Sequence, residues 1–119
     1  MARLSLRIDL GPGHRLGPGK VRLLEAIAAH GSIAAGARAL GMSYRRAWTL
    51  VEAMNRGFGQ PVVESQAGGR DGGGARLSPL GTEVVGQYRA VEQAAEAAAA
   101  PLLHRLAAWP TGETADTET

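Results

Sequence analysis

The sequence predicts a mainly α-helical fold with a small β component. Three observations carry this: short helical faces separated by capped turns over residues 20–56, two short extended runs around a glycine-rich loop, and a long helix after Ser78-Pro79. The 119 residues allow one domain of ordinary size. Hydrophobic residues at 45% and charged residues at 20% suffice for a packed core.

The first element is a strand. Leu4, Leu6, Ile8 and Leu10 alternate with Ser5, Arg7 and Asp9, the period of a half-buried strand that ends at the Gly11-Pro12-Gly13 turn. A second turn is expected at Gly17-Pro18-Gly19. Lys20 after it does not make a phosphate loop, because His14 stands where the first glycine belongs and Val21 replaces the Ser or Thr.

Helices follow. From Lys20 to His30, the residues Val21, Leu24, Ile27 and Ala28 share a face, and Gly31 stops the helix. Ser32 caps an alanine-rich second helix through Leu40, with Ile33 and Leu40 as its larger core residues. Gly41 breaks it, and Ser43 caps a third helix to about Arg56. In that helix Ala47, Leu50, Val51 and Met54 form the buried stripe, which turns Arg45, Thr49 and Arg56 outward with Arg46 and Glu52 on the flanks. Tyr44 is expected at the edge of the buried flank, Trp48 in the core against the hairpin, and Asn55 as a helix-end cap.

Val62-Val63-Glu64-Ser65 and Ala75-Arg76-Leu77 read as a hairpin whose tip is the Gly68–Gly74 loop. Ser78 caps the last helix with Pro79 at its first position. Val84, Tyr88, Val91, Ala95 and Ala98 keep steps of four and three, the seam of a helix pair, and Leu102, Leu106 and Trp109 resume it beyond a kink or break at Pro101. Residues 1–80 are thus expected as one domain with an N-terminal strand and a wing, 79–109 as a long dimerisation helix, and 110–119 as a disordered polar tail.

This order of elements is that of a winged helix-turn-helix followed by a long C-terminal dimerisation helix. Ala37 lies four residues before Gly41, where a small side chain lets two helices approach. Such a unit sets its second helix in a major groove. The free N–H groups behind Ser43 favour a phosphate, Arg45, Arg46 and Thr49 project where arginine pairs with guanine, and Arg70 and Arg76 ride on the hairpin. Charge distribution agrees: residues 1–76 hold 11 Lys/Arg against 5 Asp/Glu, and residues 77–119 hold 2 against 6. A basic part and an acidic part suggest one surface for a polyanion and another for something else.

Several classes are excluded. With no cysteine there is no disulfide framework, zinc ribbon or thiol nucleophile. No apolar run is long enough for a membrane span, and Arg7 and Asp9 interrupt any signal-peptide core, so a soluble, cytoplasmic chain is expected. His14, His30 and His104 are far apart and lack carboxylates at metal-ligand spacing, so each is read as a solvent or turn residue. Glu92 and Glu96 read as a solvated i, i+4 pair without a nucleophile. No metal, cofactor or enzyme activity is expected.

The run Ser43-Tyr44-Arg45-Arg46-Ala47-Trp48, then Met54-Asn55, then the Gly68–Gly74 loop with Ala75-Arg76-Leu77-Ser78 and Gly81, resembles the N-terminal domain of the molybdate-dependent repressors, the ModE type. The similarity spans roughly residues 16–90. A more distant resemblance to LysR-type DNA-binding domains lies in Gly31-Ser32, the alanine-rich helix and Leu77-Ser78 with Gly81. The resemblance implies a dimeric, sequence-specific transcription regulator on an inverted-repeat operator. Ser43, Tyr44, Arg45 and Arg46 would open the recognition helix, and Arg70 would ride on the wing. The chain stops after the long helix, so the resemblance carries over no molybdate-binding domain and no oxyanion pocket. Asp71 also sets a negative charge where a wing would approach phosphate. The alternative is a winged module without sequence readout, either a sensor of molybdate or tungstate at a dimer interface or a dock for an effector-carrying partner protein.

Overall fold

The computed structural model describes residues 2–66 and 73–110. In chain order the elements are β1 (Ile8–Gly11), β2 (His14–Leu16), α1 (Pro18–His30), α2 (Ile33–Ala39), α3 (Tyr44–Phe58), β3 (Val63–Gln66), β4 (Gly74–Leu77) and α4 (Pro79–Ala107). This is a winged helix-turn-helix with a long C-terminal helix, as expected. The loop expected at 68–74, with Arg70 and Asp71, falls mostly outside the described residues, as does the tail from residue 111.

The N-terminal strand is shorter than its alternation suggested. β1 starts at Ile8 and pairs antiparallel with β2, with Ile8 opposite Leu16 and Asp9 opposite Arg15. Leu4 and Leu6 precede it and lie along α4: the Leu4 N–H donates to Glu96 Oε2 at 3.2 Å, and the Tyr88 hydroxyl donates to the Leu6 carbonyl at 2.7 Å. Alternate burial persists through Leu4, Leu6 and Ile8, because an extended segment laid on a helix shows the same period as a strand. Leu10 is exposed, contrary to the pattern.

α1 begins at Pro18, so Gly17-Pro18-Gly19 is a helix start instead of a turn; proline suits the first position because its missing N–H would have no helical partner. The helix ends at Gly31, whose φ of 83° is the left-handed conformation glycine tolerates. α1 is the central element, with Val21 and Leu24 in one core cluster and Leu23 and Ile27 in the other. Its buried face is therefore wider than one stripe and includes Leu23 and Ala26, while Ala28 is exposed. α2 crosses α1 closely at Gly36, where an added Cβ would lie 2.9 Å from the Ile27 backbone nitrogen, and Ala37 beside it is buried. Leu40 ends α2 on the exposed side and does not join the core.

α3 runs through Gly57 to Phe58, two residues past the expected end. Gly57 is needed there: a Cβ would overlap the imidazole of His14. His14 is half-buried and packs edge-on against Phe58, with ring centroids 4.5 Å apart, so it is a packing residue of the hairpin and not a solvent residue. Asn55 does not cap its helix; its Oδ1 accepts the Val62 N–H at 2.8 Å and holds the start of β3.

β3 and β4 form the wing, with Glu64 opposite Arg76. The Ala75 N–H donates to the Gly31 carbonyl at 2.8 Å, which fastens the wing to the α1–α2 turn. Ser78 then ties three elements together. Its N–H donates to the Val62 carbonyl at 2.9 Å, its hydroxyl donates to the Pro61 carbonyl at 2.7 Å, and Oγ accepts the Gly81 N–H at 3.0 Å as the cap of α4.

α4 continues unbroken through Pro101, so the expected interruption is absent; the surrounding stretch is exposed, and water can take the carbonyl that proline leaves unpartnered. Two residues of the expected dimer seam, Val84 and Tyr88, are instead buried in the domain's own core with Leu16, Val21 and Met54. A single amphipathic stripe cannot distinguish these two uses until the body of the domain is in place. Glu92 and Glu96 are not a solvated pair either. Glu92 accepts from Arg89 Nη1 at 2.7 Å, and Arg89 also reaches Glu25 of α1 at 2.8 Å, while Glu96 holds the N-terminal segment.

Gly81→Ala should destabilise the domain by about 1–3 kcal/mol, because the added Cβ meets the Val62 backbone carbonyl, which cannot rotate away. Urea unfolding of the two proteins measures it, and equal midpoints would refute the close approach. The Arg89 guanidinium holds the Glu25 carboxyl below its usual value. A carboxylate whose pKa is depressed on folding stabilises fully above its unfolded pKa and loses that contribution as pH falls through the folded one. Glu25→Gln should therefore lower Tm at neutral pH, with the difference from the parent shrinking toward about pH 3. A pH-independent difference would sink the linkage.

Candidate nucleic-acid interface

The helix-turn-helix is built by local signals. At the end of α2 the Gly41 N–H donates to the Arg38 carbonyl at 3.1 Å and the Met42 N–H to the Ala37 carbonyl at 2.9 Å, with Gly41 at φ 69°. These paired bonds close the helix as a Schellman motif and turn the chain within a few residues. Ser43 then opens α3, its Oγ accepting the Arg46 N–H at 3.1 Å. Ala47, Val51 and Met54 seat the helix in the core, and half-buried Leu50 packs beside them.

That seating rotates the first two turns of α3 outward. Tyr44, Arg45, Arg46, Trp48 and Thr49 are all exposed. Among the described residues neither Arg45 nor Arg46 pairs with a carboxylate, although ion pairs occur at Arg7, Arg15, Arg76 and Arg89. The start of the helix thus exposes two uncommitted guanidinium groups, a threonine hydroxyl and two aromatic rings, with the rings toward the wing and Arg46 toward β2 and α1.

Trp48 is not in the core. It is 48% exposed and, with Tyr44 at 56%, lines an open cleft of about 700 Å³ between α3 and the wing. Val63, Ser65 and Ala75 supply its opposite wall. Residues of α3 and of both wing strands line this one cleft, so the two elements adjoin. Arg76 sits on that wing, but its Nε lies 3.4 Å from Glu64 Oε1 across the strand pair, so its charge is already partnered. Arg70 lies outside the described residues.

The expected dimer seam divides at the edge of the domain. Val84 and Tyr88 belong to the core, Ala95 is half-buried, and Val91, Ala98, Leu102 and Leu106 are exposed. Among the described residues, no residue of α4 after Glu96 joins either core cluster or makes a side-chain hydrogen bond to another element.

Sequence reasoning missed the basic side chains that β2, α1 and the segment before β1 gather beside Arg46, namely Arg7, Arg15 and Lys20. A three-residue strand has no readable period; the signal available was the Gly11-Pro12-Gly13 turn with charged residues on both sides of it. Among the described residues no group of three His, Asp or Glu side chains could hold a metal ion, and no helix is long and apolar enough to cross a membrane.

Comparison with known proteins agrees with this geometry. The chain is 45% identical over 94 residues to the molybdenum-pterin-binding protein MopA of Rhodobacter capsulatus, covering 79% of this chain and 35% of that protein. It is 41% identical over 106 residues to the molybdenum transport protein ModE of Azotobacter vinelandii, covering 89% and 38%. It is 38% identical over 76 residues to the DNA-binding transcriptional dual regulator ModE of Escherichia coli K12, covering 64% and 29%. The chain therefore spans roughly a third of the length of these relatives. Residues 19–82, from the start of α1 into the first turn of α4, match the bacterial regulatory helix-turn-helix proteins of the lysR family. The chain belongs to that family of helix-turn-helix regulators.

Proposed function

We propose that this chain is a sequence-specific DNA-binding regulator of transcription that acts as a homodimer on an inverted repeat. The observation that carries the reading is the exposed, unpaired start of α3, with Arg45, Arg46 and Thr49 on a helix seated beside a wing. Arginine pairs bidentately with guanine in the major groove, and a helix N-terminus favours a phosphate. Arg45 and Thr49 point away from the buried stripe and are assigned to base edges, and Ser43 and Tyr44 to the groove wall. Arg70 and Arg76 are assigned supporting roles on the wing, Arg76 only after releasing Glu64.

Dimerisation is assigned to the exposed part of α4, through Val91, Ala95, Ala98, Leu102 and Leu106. Apolar side chains that recur at steps of four and three on a helix extending past its own core suit a second helix of the same kind. Two copies related by a two-fold axis would present recognition helices about 34–36 Å apart, one turn of duplex. Two of the relatives named above are described by molybdenum binding or transport, so selection of binding sites from random duplexes is run with and without molybdate.

An enriched inverted repeat is the expected result, and no enrichment in either condition would overturn the reading. Arg45→Ala should then cost ~1–3 kcal/mol on the selected site and relax the preference at one base pair. A uniform loss across all sequences would remove Arg45 from base readout. Leu102→Glu combined with Leu106→Glu should give a folded monomer by sedimentation velocity, since both side chains are exposed in the single chain. A dimer that survives this change would place the interface elsewhere.

A further inference from the structure

We propose that the β1–β2 hairpin, the start of α1 and Arg46 form a cationic cradle that grips backbone phosphate of the duplex beside the groove entered by α3. The proposal rests on the duplex-binding reading above and adds a second contact region that the helix-turn-helix pattern does not include.

Arg7, Arg15, Lys20 and Arg46 line one open concavity of about 370 Å³, floored by residues 17–19 and edged by Met42 and Leu50. These cations come from the N-terminal segment, β2, α1 and α3, so tertiary packing alone gathers them. Among the described residues one carboxylate answers them: Asp9 lies 3.3 Å from Arg7 Nε and 3.8 Å from Arg15 Nε. Lys20 Nζ donates to the Arg15 carbonyl at 2.8 Å, which points its ammonium into the cluster. Burial and the neighbouring Arg15 charge hold Lys20 below its ordinary pKa, the direction expected where cations crowd.

The backbone beneath is complementary to an anion as well. The first turn of α1 has no acidic residue and no side-chain cap, and the N–H groups of Gly19 and Lys20 have no partner within the helix. Nothing lies within 4 Å of where a Cβ on Gly19 would sit, so an oxygen can approach that backbone. A concavity with four cations and one carboxylate is repulsive when empty and favourable with an anion in it. Arg46 joins it directly to Arg45 on α3, so the anion it fits is the sugar–phosphate backbone flanking the bases that α3 reads. Contacts of this kind set orientation and register and carry no sequence information.

The experiment titrates the full chain and its Arg7→Gln, Arg15→Gln and Lys20→Gln variants against the selected duplex and a scrambled one over a range of salt. Each variant that loses a phosphate contact should bind both duplexes up to about eightfold more weakly at 0.1 M salt, with the log–log salt slope shallower by about 0.9. Asp9→Asn removes a competing carboxylate, keeps every cation and should bind both duplexes more tightly. It also keeps the test open should the arginine variants melt early. Unchanged slopes in all four variants overturn the cradle, and so does a changed base preference at constant slope. A wild-type chain that binds neither duplex instead overturns the parent reading. If molybdate or inorganic phosphate raises Tm through these same side chains while their substitution leaves duplex binding intact, the site takes a free oxyanion and the backbone assignment falls.

Discussion

The orientation of the wing and of the long helix depends on the close approach of Gly81 to the Val62 carbonyl. Around that contact the Pro61-Val62 dipeptide is held from two sides: Asn55 of α3 takes the Val62 N–H, and Ser78 engages both carbonyls. These backbone groups are partly buried, and leaving a buried one unpaired costs about 1–3 kcal/mol. The end of α3, the start of β3 and the start of α4 are therefore set by one small hydrogen-bonded node. Because it lies at the far end of α3, it fixes the wing beside the recognition surface without occupying it.

The charged residues divide into two populations. Arg89 bridges Glu25 and Glu92 and fastens α4 to α1, and Arg76 faces Glu64 across the wing. Arg45 and Arg46 have no such partner among the described residues. Ion pairs at a surface contribute little to stability, so leaving these arginines unpaired forgoes little and keeps them available to an anion. Among the described residues the acidic side chains that do pair sit on β1, α1, β3 and α4, and none is on α3. This separation turns a modest net charge of +2 into a directional one.

The N-terminal segment links these two features. Its hairpin packs on α3 through His14, Phe58 and the Cβ-free surface of Gly57, while the residues before it bond to Tyr88 and Glu96 of α4. A stretch that would be a loose arm by itself is thus seated between the helix assigned to DNA and the helix assigned to dimerisation. Arg7 and Arg15 are carried into position beside Arg46 by this seating.

The sequence alone determined what depends on neighbours along the chain. Helix caps at Ser32, Ser43 and Ser78, the stops at Gly31 and Gly41, the buried stripe of α3 and the wing strands are local patterns with one energetic solution each, and all were legible. Tertiary structure decided which of several equivalent surfaces is covered. The apolar seam of α4 reads the same whether it meets its own domain or a second copy, and the core claimed Val84 and Tyr88. Alternation at Leu4–Leu10 fits a strand or a segment lying on a helix, and α4 supplied the helix. Trp48 looked like core because it is large and apolar, yet among the described residues it stays 48% exposed beside an open cleft. His14 and the basic cluster acquired their roles from residues remote in the chain, and Asn55 from Val62, which lies beyond the end of its helix. Hydrogen bonds and charge proximity act through space, and no spacing along the sequence encodes them.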